Sequence, residues 1–106
     1  MIDSNKISEI ATSIATKFNP DKIILFGSYA NGTQHEDSDI DLLIFQETDL
    51  PMQKRGYDIR MSLIGSMMPF GILVYTKSEF EQENDRSFSF LKTAMKNSKL
   101  LYERPN

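Results

Sequence analysis

Residues 23–45, IILFGSYANGTQHEDSDIDLLIF, decide how this chain is read. An apolar strand, Lys22 to Phe26, ends at Gly27-Ser28, where the chain turns into a brief helix over Tyr29, Ala30 and Asn31. Asn31-Gly32 is a turn signal, Thr33 to Ser38 is a polar loop, and Asp39 to Phe45 reads as a second strand. Strand side chains alternate, which assigns Asp39, Asp41, Leu43 and Phe45 to one face and Ile40, Leu42 and Ile44 to the other. Two carboxylates at a strand start repel each other. A divalent cation between them removes that cost, and hard oxygen ligands suit Mg²⁺.

Upstream, Ile7, Ile10, Ala11, Ile14, Ala15 and Phe18 recur at the spacing of an amphipathic helix over 4–18. Asp3 or Ser4 can cap it, Asn19-Pro20-Asp21 ends it, and it should cover one face of the sheet. Downstream, Asp49-Leu50-Pro51 marks a helix start, and Met52, Gly56, Ile59, Leu63 and Met67 carry a helical stripe to about residue 67. Met68-Pro69 breaks it, and FGILVY over 70–75 predicts a third strand. Thr76 to Glu79 and Ser78 to Glu81 both have capping-box spacing for a short helix. A last helix over roughly 86–98 places Phe88, Leu91 and Met95 together, and Leu100-Leu101-Tyr102 forms a terminal extended piece. The pattern is α/β (α+β): a small mixed sheet of three to four strands flanked by helices.

A chain of 106 residues that is 40% apolar predicts one domain, 1–106, with one modest core. No apolar stretch is long enough to cross a membrane, and the N-terminus lacks a basic region followed by an apolar run. The absence of cysteine excludes disulfides and thiolate zinc sites and fits a cytoplasmic location. A net charge of −3 argues against generic nucleic-acid binding. Charge is unevenly placed: Glu36 to Asp49 holds only acidic charges, while Arg86, Lys92, Lys96, Lys99 and Arg104 make the end basic. The basic flank either faces phosphate or is the solvated side of a helix.

A Gly-Ser turn after a strand offers main-chain N–H groups and a hydroxyl to an anion, and glycine lets phosphate approach the backbone. Neighbouring strands would set Asp39 and Asp41 beside Gly27 and Ser28. A phosphate cradle next to a cation site is what metal-assisted phosphoryl transfer requires. Each element alone is common; together, between apolar flanks, they are specific.

Gly27-Ser28, ten residues, then Asp39-Ile40-Asp41 resembles the signature of the polymerase-beta-like nucleotidyltransferases, and FGSYANG…DSDIDLLIF resembles their minimal (MNT) members. The resemblance covers nearly the whole chain and implies the palm-like nucleotidyltransferase fold. It implies transfer of a nucleoside monophosphate from an NTP, ATP by expectation, to a hydroxyl, with Gly27 and Ser28 on the triphosphate and Asp39 and Asp41 as catalytic ligands of Mg²⁺. It implies a helical HEPN partner protein, as in toxin–antitoxin pairs where a HEPN tyrosine is adenylylated. The family's third carboxylate, on the third strand, falls at Gly71 here, which leaves the two-metal site incomplete. Asp58, Glu79 and Glu81 are the remaining candidates to reach in. Two functions follow: a Mg-dependent nucleotidyltransferase of reduced activity, or an antitoxin-like binding module with little or no catalysis. A third, plainer reading is a small α/β domain whose motif is accidental. A domain of this size implies a homodimer or a hetero-complex to complete its acceptor site.

Other residues have plainer expectations. His35 reads as a solvated loop residue, and Tyr29 either packs the short helix, the favoured reading, or shapes the nucleotide pocket. Lys54, Arg55 and Arg60 could reach a triphosphate, but each, like Arg86 and Lys92, reads first as a surface charge, and Met52, Met61, Met67 and Met68 read as core filling. An exposed cluster of those methionines would instead mark a partner face.

Overall fold

The computed structural model describes residues 2–84 and 90–105. Four strands, β1 (Lys22–Phe26), β2 (Ile40–Phe45), β3 (Phe70–Tyr75) and β4 (Lys99–Glu103), form one mixed sheet in the order β3-β2-β1-β4. β1 pairs antiparallel with β2 and with β4, while β2 and β3 run parallel. The terminal extended piece is therefore a full fourth strand. β2 begins at Ile40, one residue later than its sequence pattern predicts, so Asp39 stands exposed just before the strand.

Alternation divides the sheet's two faces. Ile23 and Leu25 of β1, Ile40, Leu42 and Ile44 of β2, and Ile72 and Val74 of β3 pack against α1 (Ser4–Phe18) and against Ile59 and Leu63. α1 buries Ile7, Ala11 and Ile14, starts on the Asp3 carboxylate, which accepts from Lys6 N–H at 2.9 Å, and stops at Asn19 with φ 49°. Ile24, Phe26, Leu43 and Phe45 face the other way, where Leu91 is fully buried on α5 (Phe90–Ala94). The predicted last helix is in part this element, while its start, with Arg86 and Phe88, lies outside the described residues.

The helix expected from Pro51 to residue 67 is broken. A 3-10 turn spans Met52–Lys54 and ends at Arg55, which is extended (φ −77°, ψ 149°); Gly56 then adopts φ 78°, a left-handed conformation, before the next helix. A helix of seven residues follows (Tyr57–Leu63), then a second 3-10 turn, Ile64–Ser66. The break carries Arg55 inward: it is 7% exposed rather than a surface charge. Arg55 forms a bidentate ion pair with Glu79, one arm at 2.8 Å, and donates to the Leu50 and Val74 carbonyls. Arg60 donates to the carbonyls of Arg55 and Ile72 at 3.0 and 2.7 Å. Val74 and Ile72 belong to the edge strand β3, so two guanidinium groups cap outward carbonyls that would otherwise be open.

The capping box forms as its spacing predicts. Glu79 N–H donates to Thr76 Oγ1 at 3.1 Å and Thr76 N–H donates to Glu79 Oε1 at 2.9 Å, opening a helix over Lys77–Asn84. The methionine expectation fails. Met52, Met61 and Met67 are exposed, and only Met68 packs against the core.

Candidate functional site

The register of the sheet places Asp41. β1 ends with Phe26 directly opposite Asp41, so the next residue, Gly27, turns beside its carboxylate. Gly27 has φ 74° and ψ −155°, and a Cβ there would fall 2.4 Å from Asp41 Oδ2. On the other side Asp41 pairs with Gly71 of β3, where a Cβ would fall 2.7 Å from Oδ1. The carboxylate thus lies in a slot between two glycines, and at Gly27 the left-handed φ as well as the close approach favours glycine. Gly71 is the position at which a third carboxylate would face Asp41.

Ser28, half-buried, opens a one-turn helix (Ser28–Asn31) that starts at the Gly27 turn. The N–H groups of Ala30 and Asn31 both donate to Gly27 O, at 3.1 and 3.2 Å. First-turn N–H groups have no partner inside a helix, so those of Ser28 and Tyr29 stay available to a ligand. The Tyr29 side chain is buried in the core and its hydroxyl accepts from Ile2 N–H at 3.3 Å, as the packing reading expects. The polar loop is ordered by Ser38, whose Oγ accepts from His35 N–H at 2.9 Å. His35 is exposed and accepts from Asp37 N–H through Nδ1, a loop role.

Electrostatically the slot is unbalanced. Burial pushes the Asp41 carboxyl above the ordinary carboxylate range, and the charge of Asp39 pushes it further. Among the described residues neither carboxylate has a hydrogen-bond or ion-pair partner. No group of three or more metal-ligating side chains exists among the described residues. The donor set still fits a magnesium ion, which binds through one or two carboxylates and completes its shell with phosphate and water. Asp58, Glu79 and Glu81 do not supply the missing carboxylate. Asp58 and Glu81 line other cavities, and Glu79 is held by Arg55 and Thr76 past the far end of β3.

Asp41 opens on two clefts. One of about 510 Å³ is lined by Phe26, Arg60, Gly71 and Leu73. The other, about 300 Å³, lies between Gly27 and Asn31 on one wall and Thr93, Ala94 and Asn97 on the other. Asn31, Thr93 and Asn97 escape sequence reasoning. Asn31 reads as a turn residue, and nothing in the sequence ties α5 to residues more than sixty positions earlier.

Comparison with known proteins agrees with this fold. The nucleotidyltransferase domain family matches residues 7–102. A Methanocaldococcus jannaschii protein named "Putative protein adenylyltransferase" is 29% identical over 107 residues, covering 96% of this chain and 100% of that relative. A crystal structure of a toxin–antitoxin with AMP-PNP aligns with a TM-score of 0.61 at 23% identity, over 97% of this chain and 75% of that one. A toxin–antitoxin MntA-HpeT mutant carrying two Asp-to-Glu changes aligns with a TM-score of 0.59 at 22% identity, again over 97% and 75%. At such identities the solved structures establish the fold, which is that of the nucleotidyltransferases. Matched over nearly its whole length, the chain belongs to the nucleotidyltransferase domain family and is a nucleotidyltransferase.

Proposed function

We propose that this chain binds a magnesium–nucleoside triphosphate, ATP by preference, and transfers the nucleoside monophosphate to a protein hydroxyl. The observation that carries the proposal is the Asp41 carboxylate, held between Gly27 and Gly71 with Asp39 beside it and no basic side chain paired to it among the described residues. Gly27 and the first-turn N–H groups of Ser28 and Tyr29 hold phosphate oxygens; Ser28 adds its hydroxyl. Asp39 and Asp41 hold the metal, which when bound neutralises phosphate charge and aligns the reacting oxygens. In the transfer, the acceptor oxygen bonds to the α-phosphorus as the α–β bridging bond breaks. Pyrophosphate leaves with the bond's electron pair.

The hydroxyl proton has no protein base at residue 71 and passes to water. Absence of a positioned base lowers the rate on the order of 10²–10⁴-fold. The acceptor we favour is a tyrosine of a HEPN-type partner, read from the MNT resemblance and supported by the adenylyltransferase relative and the toxin–antitoxin neighbours. Residues 1–106 act as one unit, in the cytoplasm. Gly71 favours a second reading, in which the chain binds nucleotide and partner and modifies the partner little.

Calorimetric titration with ATP and Mg²⁺ tests the binding step. Wild type should bind and the Asp39→Ala/Asp41→Ala double variant should not; equal behaviour rejects the site. Mass spectrometry of a co-expressed HEPN protein separates the two readings. A gain of one nucleotidyl group on a tyrosine marks the enzyme, and a stable unmodified complex marks the module.

A further inference from the structure

Six of the seven large apolar residues exposed among the described residues fall within one segment, from Leu50 to Met67. Tyr57, Met61 and Ile64 follow i, i+4, i+7 spacing, so they form one stripe on the outer side of the Tyr57–Leu63 helix, opposite buried Ile59 and Leu63. Met67, 92% exposed, extends the stripe in a left-handed conformation (φ 60°) that glycine or asparagine would adopt more easily. Leu50 joins it beside Tyr57, with which it lines a common cleft. At these exposures the five residues offer on the order of 500 Å² of apolar surface. That lies in the upper part of the roughly 300–600 Å² of a monomer's largest patch, which is often functional, and forms the centre of the roughly 800 Å² that each partner gives a standard interface.

The flanks of the stripe carry opposite charges. Arg60 lies on the side facing β3 and bonds only main-chain carbonyls; Asp58 lies on the other side, with no ion-pair partner among the described residues. A two-fold axis parallel to the helix would lay the Arg60 flank of one copy along the Asp58 flank of the other, twice. A two-fold perpendicular to the helix would oppose Arg60 to Arg60. The stripe is thus complementary to itself in area, apolar character and charge.

We propose that two copies of this chain pair through Tyr57, Met61 and Ile64 about a two-fold axis parallel to that helix. Because Arg60 also lines the cleft shared with Asp41 and Gly71, pairing sets Asp58 of the second copy beside a lining residue of that cleft. The assembly therefore borders the place where this chain lacks a carboxylate.

Sedimentation of the full chain across the micromolar range tests the proposal. Wild type should be a dimer. Met61→Asp and Ile64→Asp should stay folded by circular dichroism yet raise the dimer Kd on the order of 30-fold, the size of an interface hot spot. Asp58→Lys should weaken the dimer less, and more so at low salt. Should Met61→Asp misfold, Tyr57→Ser, at a position 63% exposed, carries the same test. A wild-type monomer throughout the range, including one that pairs only with a different protein, overturns the proposal. So does a dimer that Met61→Asp and Tyr57→Ser leave intact. Mg–ATP binding, titrated in the same samples, reports on the nucleotide site separately.

Discussion

Asp41 is held at a cost to folding. Its carboxyl pKa is raised by burial and by Asp39, so the ionised form is less favourable in the folded chain than in the unfolded one. That penalty is full above the raised pKa and absent below the ordinary value of 3.8. In metal-free buffer at pH 7, Asp41→Asn should therefore melt higher than wild type, with the gap closing as pH falls toward 4. Calorimetric melting at both pH values checks the sign. Gly71→Asp tests the opposite change. Residue 71 has no left-handed φ, and the atom a Cβ would meet is the end of a side chain, so a small rotation of Asp41 makes room. A third carboxylate should lower the metal-free melting temperature and raise nucleotidyl transfer by up to about 10²–10⁴-fold if the missing base limits the rate. Radiolabel transfer from ATP measures it.

Among the elements, the junction of Arg55, Thr76 and Glu79 joins the broken segment after β2 to the helix after β3. Arg55 and Thr76 N–H hold Glu79 well below the usual carboxylate range, at about 2. A lowered carboxyl pKa gives stability that is complete above the ordinary value of 4.5 and lost as pH falls toward 2. Glu79→Gln should cost about 2 kcal/mol at pH 7, less than the roughly 3–5 kcal/mol of a fully buried pair, because Glu79 keeps 35% of its side chain in water. Urea melts at pH 7 and pH 3 should show the difference between the two proteins shrinking with acid.

This scale also separates what was legible from what was not. The strands, α1, the Gly27 turn and the Thr76 cap depend on neighbours in sequence, and their patterns announce them. The placement of Gly71 beside Asp41 follows from apolar strands whose registers have few alternatives. Arg55 is different: its partner lies 24 residues on, and the break that turns it inward is its own extended backbone followed by the left-handed Gly56. The exposed methionines were misread because helical periodicity predicts which side a residue takes but not whether that side is covered.

At the scale of the molecule, one sheet is clothed on two faces by helices of unequal extent. α1 spans fifteen residues; the other face depends on short pieces, with Leu91 fully buried among Ile24, Phe26, Leu43 and Phe45. Leu91→Ala should cost about 2–5 kcal/mol, the usual range for a buried leucine. It should also weaken ATP binding, because α5 carries the Thr93–Ala94 wall of the cleft beside Gly27. Denaturant titration and calorimetry on the same variant would show both losses.

The two guanidinium groups along β3 have a further consequence. With Val74 and Ile72 oxygens already engaged, that border resists recruiting an extra strand from a neighbour. Association on this side is left to side chains, which come apart as readily as they meet. A lateral seam of main-chain bonds, the kind that propagates into fibres, is discouraged at the margin that carries Gly71.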